Sequence, residues 1–157
     1  QVKPYYEVMG VPAAGWLIPK RTLERIGGFD PIFFHYGEDH NYFQRVNYHG
    51  MKTIVIPGAK MIHDRDGFGN VNMAKKDMYF RTIKTEIMLN INLTPMRILL
   101  ELIKKDFKYN IESIKYLFSG NFHMFWELHK AVKLNLFNIL RYRRNRIQNR
   151  ISGMNWL

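Results

Sequence analysis

The chain has 157 residues, of which 46% are hydrophobic and 15% aromatic, and it carries a formal charge of +11 with no cysteine. That length suits one domain, or one domain with an appendage, and so much apolar content argues against a disordered chain. With no thiol there is neither a disulfide framework nor thiolate chemistry, which points to a cytoplasmic setting, and no apolar run approaches the roughly 18 residues of a membrane-spanning helix. The first residues, "QVKPYYEV", lack a starting methionine and the charged-then-apolar order of a signal peptide, so the chain reads as a piece of something longer.

Charge and texture both change along the chain. Residues 1–80 hold 10 Lys/Arg against 8 Asp/Glu, whereas residues 81–157 hold 14 against 5. Residues 1–70 contain 9 of the 11 glycines and 5 of the 6 prolines between short β-prone runs. That punctuation predicts strands, short helices and loops, while the remainder reads as long helices. The expected domains are therefore residues 1–70 and a basic helical region over 71–157.

In chain order, the patterning predicts a strand at Ala13–Ile18, a short helix at Arg21–Ile26 and the loop "GGFDPIFFHYG". A helix at Glu38–Tyr48, a strand at Lys52–Ile56 and a short strand at Lys60–Ile62 follow. Gly27 and Gly50 are placed to end the two helices. This is α/β alternation with too few strands for a complete doubly wound sheet. Beyond it, helices are expected over 73–91, 94–107 (Thr94 as N-cap, Pro95 at the first helical position), 110–118 and 121–150. Unpaired strand edges are normally covered. A homodimer is the expected cover, built from those edges and the apolar faces of Met78–Ile91 and Val132–Leu140.

"HYGEDHNYFQR" (35–45) carries the chemistry. Glu38 and Asp39 fall in the first turn of a helix, and acids there gain about 0.3–1 kcal/mol each from the macrodipole, which is one sufficient reason for them. The other reading is catalytic. Aromatics and a glycine lead up to the acids, His35 among them, a lining suited to a ligand. A helix N-terminus favours the charged form of a carboxylate, the form a general base needs. Successive helical residues point about 100° apart, so the two carboxylates cannot flank one bond. One catalytic carboxylate with a supporting neighbour fits better.

The run "GWLIPKRTLERIGGFDPIFFHYGEDHNYFQRVNYHGMKTIVIPGAKMIHDRDG", from Gly15 to Gly67, resembles the second half of a family-2 glycosyltransferase with the GT-A fold. Those enzymes share a small-residue strand, a helix, a Gly-Gly-Phe-Asp loop, a Glu-Asp pair, a following arginine, a strand and then a histidine. The resemblance implies an inverting enzyme that moves a sugar from a nucleotide-sugar donor to a glycan or lipid-linked acceptor, in cell-surface polysaccharide synthesis. Asp39 would be the base that takes the acceptor proton, with Glu38 orienting the acceptor or the helix. Trp16 and Gly15 would lie near the acceptor, and His63 would meet the metal–diphosphate, with Mn²⁺ or Mg²⁺ as cofactor. Trp16 serves equally as core filling. Arg45 is a candidate phosphate ligand, though pairing with Glu38 or Asp39 accounts for it as well. The chain departs from the pattern at His40–Asn41, where the family has an acid two places after the base.

The resemblance also implies a nucleotide-binding half ending in Asp-x-Asp ahead of the base. The one literal match here, Asp64-Arg-Asp66, follows the base instead. The chain thus reads as the C-terminal portion of a GT-A fold with a helical extension, inactive by itself. In the basic tail, Val132, Leu136, Ile139 and Leu140 form an apolar face beside "RYRRNR". An anionic membrane surface at the inner face of the plasma membrane, a packed helix with a basic solvent face, and nucleic acid are the three readings. Tyr142 is the only aromatic in the cluster, too few for a base-stacking platform. The rival to an enzyme is a non-catalytic basic module that docks on lipid or nucleic acid.

Overall fold

In a computed structural model, the backbone is described over residues 3–33, 36–62 and 74–156, and side chains over the same residues except 74–80 and 131–137. The protein is a mixed α/β chain, mostly helical, with one small antiparallel sheet among the described residues. It divides into two compact units, Gln1–Gly69 with Ile147–Leu157, and Asn70–Arg146. The change of texture near residue 70 coincides with that division. The last eleven residues depart from the sequence reading, because they belong with the first unit rather than with the helical region.

In the first unit, β1 (Tyr6–Val8) pairs antiparallel with β2 (Thr53–Val55), with Glu7 opposite Ile54. Lys52 Nζ donates to Glu7 Oε1 at 2.6 Å beside this ladder. Helix α1 (Lys20–Ile26) follows Pro19 and ends at Gly27, whose φ of 78° suits a residue without a side chain. Helix α2 (Glu38–Tyr48) ends before Gly50, at φ 68°. Ile26, Tyr42 and Val46 form the buried core, and Trp16, Ile18 and Met51 pack against it. Each such side chain contributes about 1.5–3 kcal/mol when fully buried.

Two expected strands are not formed. Ala13–Gly15 is a 3-10 turn, and Trp16 beyond it is extended without a ladder partner. Pro12 and Pro19 bracket this stretch, and a proline has no N–H to give a ladder. Residues 60–62 are likewise unladdered, and Ile62 is almost fully exposed. A strand pattern supplies one face of a ladder, but the partner must exist.

The second unit contains α3 (Ala74–Leu89), α4 (Pro95–Phe118) and α5 (Phe122–Phe137), which pack on one another. The unit boundary falls inside α6 (Ile139–Arg150). Thr94 caps α4 as its spacing predicts, its Oγ1 accepting the Arg97 N–H at 3.3 Å with Pro95 at the first helical position. Asn121 caps α5 in the same way through the Met124 N–H. Leu89, Ile91, Tyr109, Met124, Leu128 and Tyr142 are buried. Lys84, also buried, is matched by Asp106, whose Oδ1 lies 2.5 Å away. Arg146 donates to the carbonyls of Asn90 and Leu93, so one cation of the basic tail serves to close the end of α3.

The tail differs from its sequence reading in two respects. The expected 121–150 helix is broken at Asn138 into α5 and α6. Ile139 and Leu140 of the anticipated apolar face are exposed, and it is Tyr142, Asn145 and Asn149 of α6 that are buried. No helix among the described residues is long and apolar enough to cross a membrane.

Candidate active site

The backbone entering α2 is bent in a way that few sequences tolerate. Tyr36 has φ 69° and Gly37 has φ 87°, two consecutive left-handed residues immediately ahead of Glu38 and Asp39. Glycine adopts this conformation without penalty, but an aromatic residue pays about 1–3 kcal/mol. Such strain persists only where the surroundings enforce it, and it clusters at functional sites. Gly37 offers no side chain to cap the helix. The acids of the first turn therefore stand where the helix N–H groups concentrate positive potential.

Asp39 opens onto a cleft of about 340 Å³. One wall is Met9–Pro12, the segment after β1, and the other is Asp39, His40 and Phe43 of α2. The volume reaches the lower end of the about 300–1,000 Å³ of small-ligand sites, and the cleft is shallow and open to solvent. Phe43 and Gly10 meet so closely that a Cβ on Gly10 would lie 2.6 Å from the Phe43 ring, so the glycine lets the two walls approach. Asp39 is half-buried, and its Oδ1 accepts the His40 N–H at 2.7 Å. Glu38 is placed differently. Its Oε2 is buried and has no hydrogen-bond partner among the described residues. Three residues on, the wholly buried Asn41 has neither amide atom partnered among the described residues. Helical spacing puts these two polar groups on one side of α2 and turns Asp39 away from them.

Trp16 belongs to an aromatic group rather than to the cleft wall. Its ring lies 4.7 Å from Phe43 and 6.0 Å from Phe29, centroid to centroid, and its Nε1 donates to the Pro12 carbonyl at 3.1 Å. It thereby props two elements of the cleft, Pro12 and Phe43, from behind. Gly15 meets the Met61 side chain, where a Cβ would be 2.2 Å from the sulfur.

Arg45 is neither a ligand for an entering phosphate nor a partner of the acidic pair. It is fully buried, at 0% exposure, and its guanidinium donates to the carbonyls of Ile26 (3.1 Å) and Gly28. Burial pushes its pKa down to about 10, against the opposing influence of Tyr42 and Asp30, so it stays charged at neutral pH. The guanidinium also lies 4.9 Å from the Tyr42 ring centroid. Burial raises the Tyr42 hydroxyl, and Arg45 partly offsets this. Asp30 joins the network through Asn149, whose Nδ2 donates to Asp30 Oδ2 at 2.9 Å, while Trp156 Nε1 donates to Asn149 Oδ1 at 2.9 Å. The C-terminal segment thus braces α1 and α2 from below the cleft. Gly27 makes room for it, since a Cβ there would fall 1.8 Å from the Asn155 carbonyl oxygen.

Of the residues singled out from sequence, Asp39 lines the cleft, Trp16 contacts the lining residues Pro12 and Phe43, and Glu38 lies on another side of α2. Arg45 is structural. His35 and His63, with Asp64 and Asp66, lie outside the described residues. Among the described residues no group of three His, Cys, Asp or Glu side chains converges, so these residues do not make up a metal centre. Sequence reasoning missed the Met9–Pro12 wall, whose Gly10 and Pro12 are its only local signals, and the Asp30–Asn149–Trp156 brace, which joins residues far apart in the chain. No family model, no curated protein and no solved structure matches the chain.

Proposed function

We propose that this chain is the acceptor-side, C-terminal portion of an inverting glycosyltransferase of the GT-A kind, with Asp39 as its general base. The observation that carries the reading is a single half-buried carboxylate at the mouth of a small-ligand-sized cleft. It is held there by the N-terminus of α2 and by the strained Tyr36–Gly37 entry. The ordered run from "GWLIP" through "GGFDP" and "YGEDH" supports the family.

In the reaction, Asp39 Oδ takes the proton of an acceptor hydroxyl. The hydroxyl oxygen forms a bond to the anomeric carbon as the bond from that carbon to the donor's diphosphate breaks, and the bonding pair leaves with the diphosphate. One displacement inverts the configuration. Met9 and Pro12, both exposed, give the cleft apolar surface against which a sugar ring can rest. A divalent ion would neutralise charge on the leaving diphosphate in such enzymes; the described residues do not form its site, and no step here depends on it. The stereochemistry provides the test. Proton NMR of the first-formed product of the whole enzyme should show the configuration opposite to that of the donor. Retention would require a second displacement that this one carboxylate does not explain.

A further inference from the structure

We propose that α4 rests its exposed face on the surface of an anionic phospholipid membrane, a contact that does not depend on glycosyl transfer. Met96, Leu100, Ile103, Phe107, Ile111, Ile114 and Phe118 form one line along the helix. All are solvent-exposed, from 43% at Ile111 to 87% at Phe118. Leu99 and Leu117 widen the line at its ends. The buried contacts of α4, at Tyr109 and Ser113, are made by a different side, so the stripe is additional to the one that packs in the unit. Twenty-four residues at 1.5 Å rise make it about 35 Å long. Contiguous apolar surface on that scale marks an interaction site.

Charge and the flanking aromatic residues select lipid as the occupant. Arg97, Lys104, Lys108 and Lys115, spaced by 7, 4 and 7 residues, run down one edge of the stripe. Lys104 and Lys108 are paired to Glu101 and Glu112, which lie farther round the helix; Arg97 and Lys115 have no ion-pair partner among the described residues. A row of cations bordering an apolar face with phenylalanines in it is the pattern of a helix lying in a membrane interface. The same apolar stripe argues against nucleic acid.

The seven positions span 22 residues in six steps, about 3.67 per turn, so the stripe stays close to one side of the helix along its whole length. Phe122 and Trp126, exposed on the first turns of α5, add two aromatic side chains of the kind that anchor at the headgroup level.

Co-sedimentation of the 157-residue chain with vesicles tests this. Vesicles of phosphatidylcholine mixed with phosphatidylglycerol should pull the protein down, and phosphatidylcholine alone should do so weakly. The double variant Ile103→Asp, Phe107→Asp should lose binding to both. Its helical circular dichroism should be unchanged, because both side chains are more than half exposed. Arg97→Gln with Lys115→Gln should lower partitioning to the mixed vesicles by about twenty-fivefold, roughly fivefold for each charge. Binding that survives the aspartate pair would assign membrane contact to another surface and overturn the proposal. A wild-type chain that ignores vesicles would overturn it too; if light scattering then shows a dimer that the aspartate pair splits, the occupant is a second copy.

Discussion

Along α2, two buried polar residues one turn apart sit in opposite circumstances. Arg45 donates to two carbonyls and is balanced by Asp30, with only its Nε unpartnered, whereas neither amide atom of Asn41 finds a partner among the described residues. Removing one member of a buried, compensated charge network costs about 3–5 kcal/mol, while each orphaned polar group already costs the fold about 1–3 kcal/mol. Arg45→Leu should therefore lower the unfolding free energy by about 3–5 kcal/mol. Asn41→Leu, similar in volume, should leave it unchanged or raise it by about 1 kcal/mol. Urea denaturation of both variants gives the comparison. A loss above about 2 kcal/mol for Asn41→Leu would mean that the amide is hydrogen-bonded in solution, and that α2 carries a second polar group of use to the cleft. Together with the Tyr36 strain, the orphaned Asn41 amide and Glu38 oxygen concentrate unfavourable local energy around Asp39, the pattern expected where function overrides stability.

Among the elements, the C-terminal segment against α1 is the contact that local patterning could not reveal. It rests on Gly28 N–H to Asn155 O at 2.8 Å, Gly153 N–H to Arg25 O at 2.8 Å and the absence of a side chain at Gly27. Gly27 and Gly50 share a positive φ but differ in surroundings, since nothing lies within 4 Å of a Cβ at Gly50. Gly50→Ala should thus cost only the left-handed conformation, about 1–2 kcal/mol. Gly27→Ala should cost that plus expulsion of the segment, and should expose Trp156, a change its fluorescence would register. Equal losses at the two sites would show that the segment is not seated on α1.

The same elements show what a sequence can convey. The boundaries of α2 and the cap of α4 were legible because each depends on residues within one turn. The expected break between 107 and 110 was not real: Asn110, which reads as a helix interrupter, donates its amide to the Asp106 carbonyl at 2.9 Å inside a continuous α4. β1 escaped notice because it is three residues long with Glu7 at its centre, and its partner lies some 45 residues away. In the candidate site, Asp39 was legible from its motif. The opposite wall at Met9–Pro12 was not, because only the fold brings it near.

For the molecule as a whole, the central issue is whether the proposed transfer takes place at the Asp39 cleft. The described residues form an open cleft lined by one carboxylate, and no set of metal ligands converges among them. Calorimetry of the chain with Mn²⁺ and a nucleoside diphosphate should accordingly give weak binding at most. Tight, metal-dependent binding would instead point to Asp64 and Asp66 and make this chain a donor site. The most direct test of the account is the transfer rate of the whole enzyme carrying Asp39→Asn, measured under single-turnover conditions with the donor bound. The variant keeps the shape of the side chain and removes its basicity, so transfer should fall by about 10²–10⁴-fold with donor affinity nearly unchanged. A variant that keeps more than half of the wild-type rate would contradict the account and leave Glu38 and Asp39 as no more than the acidic first turn of a helix.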